Sequence, residues 1–205
     1  MKMQLKVKLL AKNKRQATKT VRIIAGEFKG FRLGTPLPEV AHVMGERERG
    51  AIFNALFDVS ELHVLDCFAG SGALGFEALS RGALTADFVE NEARARVIIQ
   101  ENAAKLDVKS RARMFKVPPI RGRCPPTERM DACRNLRYDL IFSDAPYTDP
   151  QWELVETLPD LLMDGGRLVI SHSKEEPIPD AVVVGLENTY SKIFAGAQID
   201  IYVKM

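Results

Sequence analysis

Cysteine and histidine are scarce and unpatterned in this chain of 205 residues. Cys67, Cys124 and Cys133 are odd in number and lack CxxC spacing, which argues against both a disulfide framework and a zinc site. His42, His63 and His172 are scattered and add no ligand cluster, so no metal is expected. No apolar run approaches membrane-spanning length, and the apolar stretch within Met1 to Leu10 is too short and interrupted for a signal peptide. The expectation is a soluble, cytoplasmic protein with reduced thiols and no membrane partner. A net excess of charge is missing too: 29 Lys plus Arg face 27 Asp plus Glu, so total charge identifies no polyanion partner. No internal repeat is present, and the length suits one α/β domain with a small appendage.

The distribution of charge says more than its sum. Up to Arg32 the basic residues are Lys2, Lys6, Lys8, Lys12, Lys14, Arg15, Lys19, Arg22, Lys29 and Arg32, opposed only by Glu27. A basic arm over residues 1–20 fits sequence-independent phosphate contacts, although a solubilising tail has the same composition.

Val21–Gly26 and Phe28–Leu33 alternate apolar with basic or small residues across a glycine-bearing turn, which predicts a hairpin. From Glu46 to Phe57, apolar Ile52, Phe53, Leu56 and Phe57 recur at helical spacing and leave Arg47 and Arg49 on another side. Strands and helices then alternate: strand 63–67, helix 73–80, strand 83–90, helix 93–106, strand 113–117, strand 138–143, helix 152–163 and strand 167–171. That order predicts a parallel α/β sheet. Tyr190–Phe194 and Gln198–Val203 predict a terminal antiparallel pair. The proline- and arginine-rich stretch 118–137 has no periodicity and reads as a loop.

Two segments carry chemistry. In Val64-Leu65-Asp66-Cys67-Phe68-Ala69-Gly70-Ser71-Gly72-Ala73-Leu74-Gly75 an acid ends a strand, small residues follow, and a helix begins, so backbone approaches a ligand closely. Gly70, Gly72 and Gly75 satisfy GxGxxG, and Glu90 ends the next strand at the distance of a ribose-binding acid, a pattern compatible with NAD. Asp66, however, repels a pyrophosphate and attracts an ammonium or sulfonium, which favours S-adenosylmethionine. Asp144-Ala145-Pro146-Tyr147 follows the apolar run Tyr138–Phe142 and is expected in an active-site loop. Asp144 and the Ala145 carbonyl are suited to accepting two N–H bonds from an exocyclic amine, with Tyr147 stacking on the ring beyond stiff Pro146. The two segments together point to methyl transfer onto a nucleobase.

The chain resembles the RsmD family of bacterial small-subunit (16S) ribosomal RNA guanine-N2 methyltransferases. The resemblance rests on Arg22-Ile23-Ile24-Ala25-Gly26 with Lys29-Gly30, on Arg47-Glu48-Arg49 running into Ile52-Phe53-Asn54-Ala55-Leu56, and on Leu65 through Gly75. It continues through Glu77–Ala83, Val89-Glu90 and Asn102. It implies a class I methyltransferase fold, Rossmann-like, with a mostly parallel seven-stranded sheet whose last strand is antiparallel. Residues 21–58 would form an RNA-facing hairpin and helix, and residues 59–205 the methyltransferase domain. The implied cofactor contacts are Asp66, Phe68, Ala69, Gly70, Ser71, Gly72, Gly75, Glu90 and Asn91. The implied catalytic segment is Asp144, Ala145, Pro146 and Tyr147, and Arg22, Lys29, Arg32, Arg47 and Arg49 are candidates for RNA phosphates. The implied partner is ribosomal RNA or an assembling small subunit, and a monomer is expected. The family usually has proline at position 145 and an acid after the third strand, where this chain has Ala145 and Pro118-Pro119. Adenine-N6 methylation of DNA, a nicotinamide-dependent oxidoreductase and an inactive RNA-binding homologue are the alternatives compatible with the same residues.

Overall fold

The computed structural model describes residues 20–36, 44–116 and 135–205. The basic arm, apart from its last residue, and most of the proline- and arginine-rich stretch lie outside them. Strands β1 (Thr20–Arg22) and β2 (Arg32–Gly34) pair antiparallel as the expected hairpin, with shorter strands than the alternation predicts. Helix α1 (Glu46–Leu56) follows. The main sheet contains β3 (His63–Cys67), β4 (Thr85–Glu90), β5 (Ala112–Lys116), β6 (Tyr138–Ser143), β7 (Leu162–Ser173), β8 (Leu186–Ile193) and β9 (Ala197–Lys204). Between them lie α2 (Ala73–Ser80), α3 (Ala93–Lys105) and the single turn α4 (Trp152–Val155).

The strand order is β5-β4-β3-β6-β7-β9-β8, with β9 antiparallel to both neighbours. The remaining pairs are parallel. This is the class I methyltransferase arrangement. Period-two alternation along β3 divides the core: Val64 belongs to the cluster beneath α1, α2 and α3, whereas Leu65 and Cys67 belong to the cluster beneath α4. Such two-sided burial explains why the central strands read as continuous apolar runs.

The expected helix 152–163 is corrected. It stops at Val155, a short 3-10 turn covers Pro159–Leu161, and the chain is already a strand from Leu162. Pro159 lacks the N–H that a continuing helix requires, and although Leu158 is still helical, Leu162 has already turned to extended geometry at ψ 143°. The strand therefore begins before Gly165-Gly166, and its register against β6 shifts between Tyr138↔Leu162 and Leu140↔Arg167. Those glycines sit inside the strand where the irregularity is absorbed.

The hairpin is not a loose appendage, since Val21, Ile23 and Leu33 share one apolar cluster with Phe76, Phe88 and Phe142. Buried polar groups of α2 hold its turn. Glu77, fully buried, accepts N–H bonds from Ile24 at 2.7 Å and Ala25 at 3.0 Å and pairs with Arg81 at 2.8 Å. Ser80 Oγ accepts from the Phe28 N–H at 2.9 Å and donates to the Ala25 carbonyl at 2.5 Å. A Cβ at Gly26 would lie 1.8 Å from the Ser80 carbonyl oxygen, so this contact admits only glycine.

Candidate active site

Parallel register sets the site. Cys67 is level with Val89 of β4 on one side and with Ser143 of β6 on the other. The next residues, Phe68, Glu90 and Asp144, therefore leave three adjacent strands together at the carboxyl edge of the sheet. Crossovers diverge to opposite sides of β3, and such a switch point opens a crevice for ligands.

The glycine loop is wound tightly into that crevice. Gly70 and Gly72 adopt left-handed φ values of 55° and 77°. Phe68, with φ 66°, adopts the same region at a cost of roughly 1–3 kcal/mol, a strain that proteins retain mainly at functional sites. The Gly70 N–H donates to Glu90 Oε2 at 2.7 Å, and the Glu92 N–H donates to Glu90 Oε1 at 2.7 Å. These two bonds orient the carboxylate and leave each oxygen a further lone pair for a ribose hydroxyl. Gly75 serves packing: a Cβ there would lie 2.4 Å from the Phe88 ring.

Asp66 is 2% exposed, and its Oδ2 accepts the Gly75 N–H at 2.9 Å. Burial pushes its carboxyl well above the usual carboxylate range; the Gly75 N–H opposes this, and the neighbouring charges of Asp144 and Glu90 add to it. A small cleft runs along Phe68, Ala69, Gly70 and Ser71, with Asp66 and Asp144 on its walls and Met44, Ala73 and Leu74 completing it. Two carboxyl groups on its walls, with Glu90 flanking the loop, disfavour a pyrophosphate and complement a cation. The donor set thus fits the sulfonium and ammonium groups of S-adenosylmethionine better than NAD.

The family model described as Conserved hypothetical protein 95 matches residues 21–203. The chain belongs to this family, the RsmD family. The Ribosomal RNA small subunit methyltransferase D of Escherichia coli K12 is 32% identical over 155 residues, covering 72% of this chain and 69% of that protein. The Haemophilus influenzae Rd protein of the same name is 31% identical over 150 residues, covering 72% and 73%. Among solved structures, a Thermus thermophilus protein described as hypothetical superposes with a TM-score of 0.71 at 28% identity, covering 90% of this chain and 99% of its own.

Within this RsmD-family chain, the cleft unites Asp66, Phe68, Ala69, Gly70, Ser71 and Asp144 of the residues singled out by sequence. Gly72, Gly75, Glu90 and Asn91 shape or flank the loop without lining the cleft, and Asn91 is exposed with its carbonyl held by Arg96 Nη1 at 2.5 Å. Ala145 is buried and Pro146 exposed. Tyr147 is half-buried, and its hydroxyl lies 2.8 Å from Ser171 Oγ at the end of β7. Burial raises the Tyr147 phenol above its ordinary value, so it stays neutral at physiological pH.

Ser171 thereby restrains the plane of the Tyr147 ring. Ser171→Ala is expected to lower methyl-transfer kcat/KM by about two- to tenfold with unchanged cofactor affinity, the effect of one neutral hydrogen bond. Steady-state kinetics beside calorimetry checks this, and unaltered kcat/KM would remove Ser171 from the site.

Arg22, Lys29, Arg32 and Arg47 are exposed. Arg22 pairs with Glu46 at 2.6 Å, and Arg32 Nη1 donates to Thr20 Oγ1 at 3.3 Å. Arg49 is corrected as a phosphate contact. It is 1% exposed and donates to the carbonyls of Met44 at 2.6 Å and Arg22 at 2.8 Å, so it ties the segment before α1 to the hairpin. Its helical position, on the buried face with Ile52, Phe53 and Leu56, was the available signal. Met44 had no such signal, being outside any periodic element, whereas Ala73 and Leu74 were foreseeable as the first turn after the glycine loop.

Proposed function

We propose that this protein transfers a methyl group from S-adenosylmethionine to the exocyclic N2 amine of a guanine in small-subunit (16S) ribosomal RNA. The observation that carries the reading is the shared cleft, where the cation-favouring Asp66 wall and the amine-accepting Asp144 wall face one glycine loop. The names of the relatives support ribosomal RNA as the substrate class.

S-adenosylmethionine supplies an electrophilic methyl carbon on a positively charged sulfur. Asp66 and Glu90 would hold the cationic and ribose ends, and the glycine loop would admit close backbone approach. The guanine N2 lone pair is delocalised into the ring, so catalysis must orient that nitrogen and draw it toward tetrahedral geometry. Asp144 and the Ala145 carbonyl accept its two N–H groups and direct the lone pair along the line of transfer. Passage of the methyl from sulfur to nitrogen would break the sulfur–carbon bond and leave a neutral thioether, and the surplus proton on nitrogen would go to Asp144 and on to water. Tyr147 stacks on the base, which must be unpaired or flipped to enter. Exposed Arg22, Lys29, Arg32 and Arg47 are placed to hold flanking phosphates.

Mass spectrometry of ribosomal RNA nucleosides from cells with and without the gene tests this. Loss of one N2-methylguanosine on deletion is expected, with restoration by the purified protein on deficient small subunits or their RNA. Methyl transfer to DNA adenine but not to these substrates would overturn the reading.

A further inference from the structure

Asn102, on α3, is fully buried and belongs to no wall of the cleft, yet its side-chain amide touches both functional segments. Oδ1 accepts the Gly34 N–H at 2.9 Å, and Nδ2 donates to the Gly34 carbonyl at 3.0 Å. The second Nδ2 hydrogen goes to the carbonyl of Ser71, in the glycine loop, at 3.1 Å. Gly34 presents one donor and one acceptor, which fixes the orientation of the amide. A primary amide has two N–H groups, and both are committed.

Gly34 ends β2 of the basic hairpin, whereas Ser71 is a buried lining residue of the cofactor cleft. One rigid planar group therefore joins the element proposed to meet RNA to the loop proposed to meet the cofactor. A shift of the Ser71 carbonyl requires the amide to turn or to lose a bond, and turning disturbs both bonds to Gly34. The other end of the hairpin is held by Glu77 and Ser80 of α2, the helix that issues from the same glycine loop. Hairpin and loop thus share their supports at two places.

We infer that Asn102 is a positioning residue that couples occupancy of the glycine-loop cleft to the placement of the basic hairpin, so that cofactor and RNA bind cooperatively. The inference rests on the proposed function for the identity of both ligands. Linkage makes the coupling reciprocal: each ligand raises the affinity of the other by the same factor.

The Gly34 amide reports directly, because its acceptor is the Asn102 side chain. In the wild-type full chain, saturating S-adenosylhomocysteine is expected to slow exchange of the Gly34 amide, read by NMR, by about fivefold or more. It should also tighten binding of transcribed 16S RNA by a similar factor. Asn102→Asp retains the Gly34 N–H acceptor and removes both donors. It is expected to bind each ligand singly, more weakly, and to lose the enhancement, with its folding verified by circular dichroism. Calorimetric binding of S-adenosylhomocysteine without any change in Gly34 exchange overturns the coupling and leaves the proposed function standing. Absence of that binding overturns both. Enhancement of RNA binding that persists in folded Asn102→Asp also overturns the role of Asn102.

Discussion

Asp144→Ala is expected to lower methyl-transfer kcat by about 10²–10⁴-fold, the range associated with a positioned acid–base group. Affinity for S-adenosylhomocysteine, whose neutral sulfur gains little from the Asp144 charge, should change by no more than about threefold, because on the proposed function the residue acts chiefly on the amine. Asp144 follows the end of β6, level with Phe68 and Glu90, and lines the cleft. On the proposed function, removing it deletes the acceptor that orients N2 and also the group that takes the proton after transfer. Asp144→Asn separates the two roles, since the amide oxygen still accepts an N–H but holds no proton at neutral pH. An intermediate rate for Asn assigns part of the loss to orientation, whereas equal loss in both variants assigns it to the charge. Single-turnover methyl transfer on deficient small subunits, with calorimetry beside it, makes the comparison. Full activity in Asp144→Ala would end the assigned role.

Much of this site was legible in sequence because its determinants are local. Residues 63–67, 73–80 and 138–143 form the anticipated elements at the anticipated ends, since β-strand runs, a glycine loop and a helix start are encoded within a dozen residues. What failed depended on competition or on distant partners. Leu154, Val155, Leu158, Leu161 and Leu162 recur at helical spacing, but Pro159 and pairing of Leu162 with Tyr138 divert the chain into a strand. Arg49 is a different case, since its helical spacing to Ile52, Phe53 and Leu56 marked the buried face, and only its carbonyl partners Met44 and Arg22 were hidden. Asn102 has no local signal at all, for its three hydrogen bonds go to residues 31 and 68 positions away. Buried polar residues on helices are where sequence pattern is least informative, because burial is decided by which other segments arrive.

Asp66→Asn is expected to weaken S-adenosylmethionine binding by about 10- to 100-fold at pH 8 while making the cofactor-free protein more stable. Both effects follow from the same burial. The Asn side-chain oxygen preserves the bond from the Gly75 N–H, so the substitution removes charge with little change of shape. A charge-assisted hydrogen bond contributes about 1.5–3 kcal/mol, which sets the affinity range. In the empty protein the Asp66 carboxyl is held well above its ordinary value by burial and by Asp144 and Glu90, against the Gly75 N–H. A raised carboxyl stabilises the fold only while protonated, so its contribution is full below the unfolded value and disappears as pH rises through the folded one. Wild type should therefore lose stability across that upper range, and the Asn variant should lose less, with a higher Tm of about 2–4 °C for each kcal/mol relieved. If Asp66 meets the cation as an ionised carboxylate, wild-type affinity is expected to fall as pH drops through the raised value, and Asp66→Asn to flatten that dependence. Calorimetry and thermal melts from pH 5 to 9 test the pair together (about two units either side of neutrality). Equal cofactor affinity in the two proteins, or a lower Tm for the variant at pH 8, would show that Asp66 is a structural acceptor for Gly75 and nothing more.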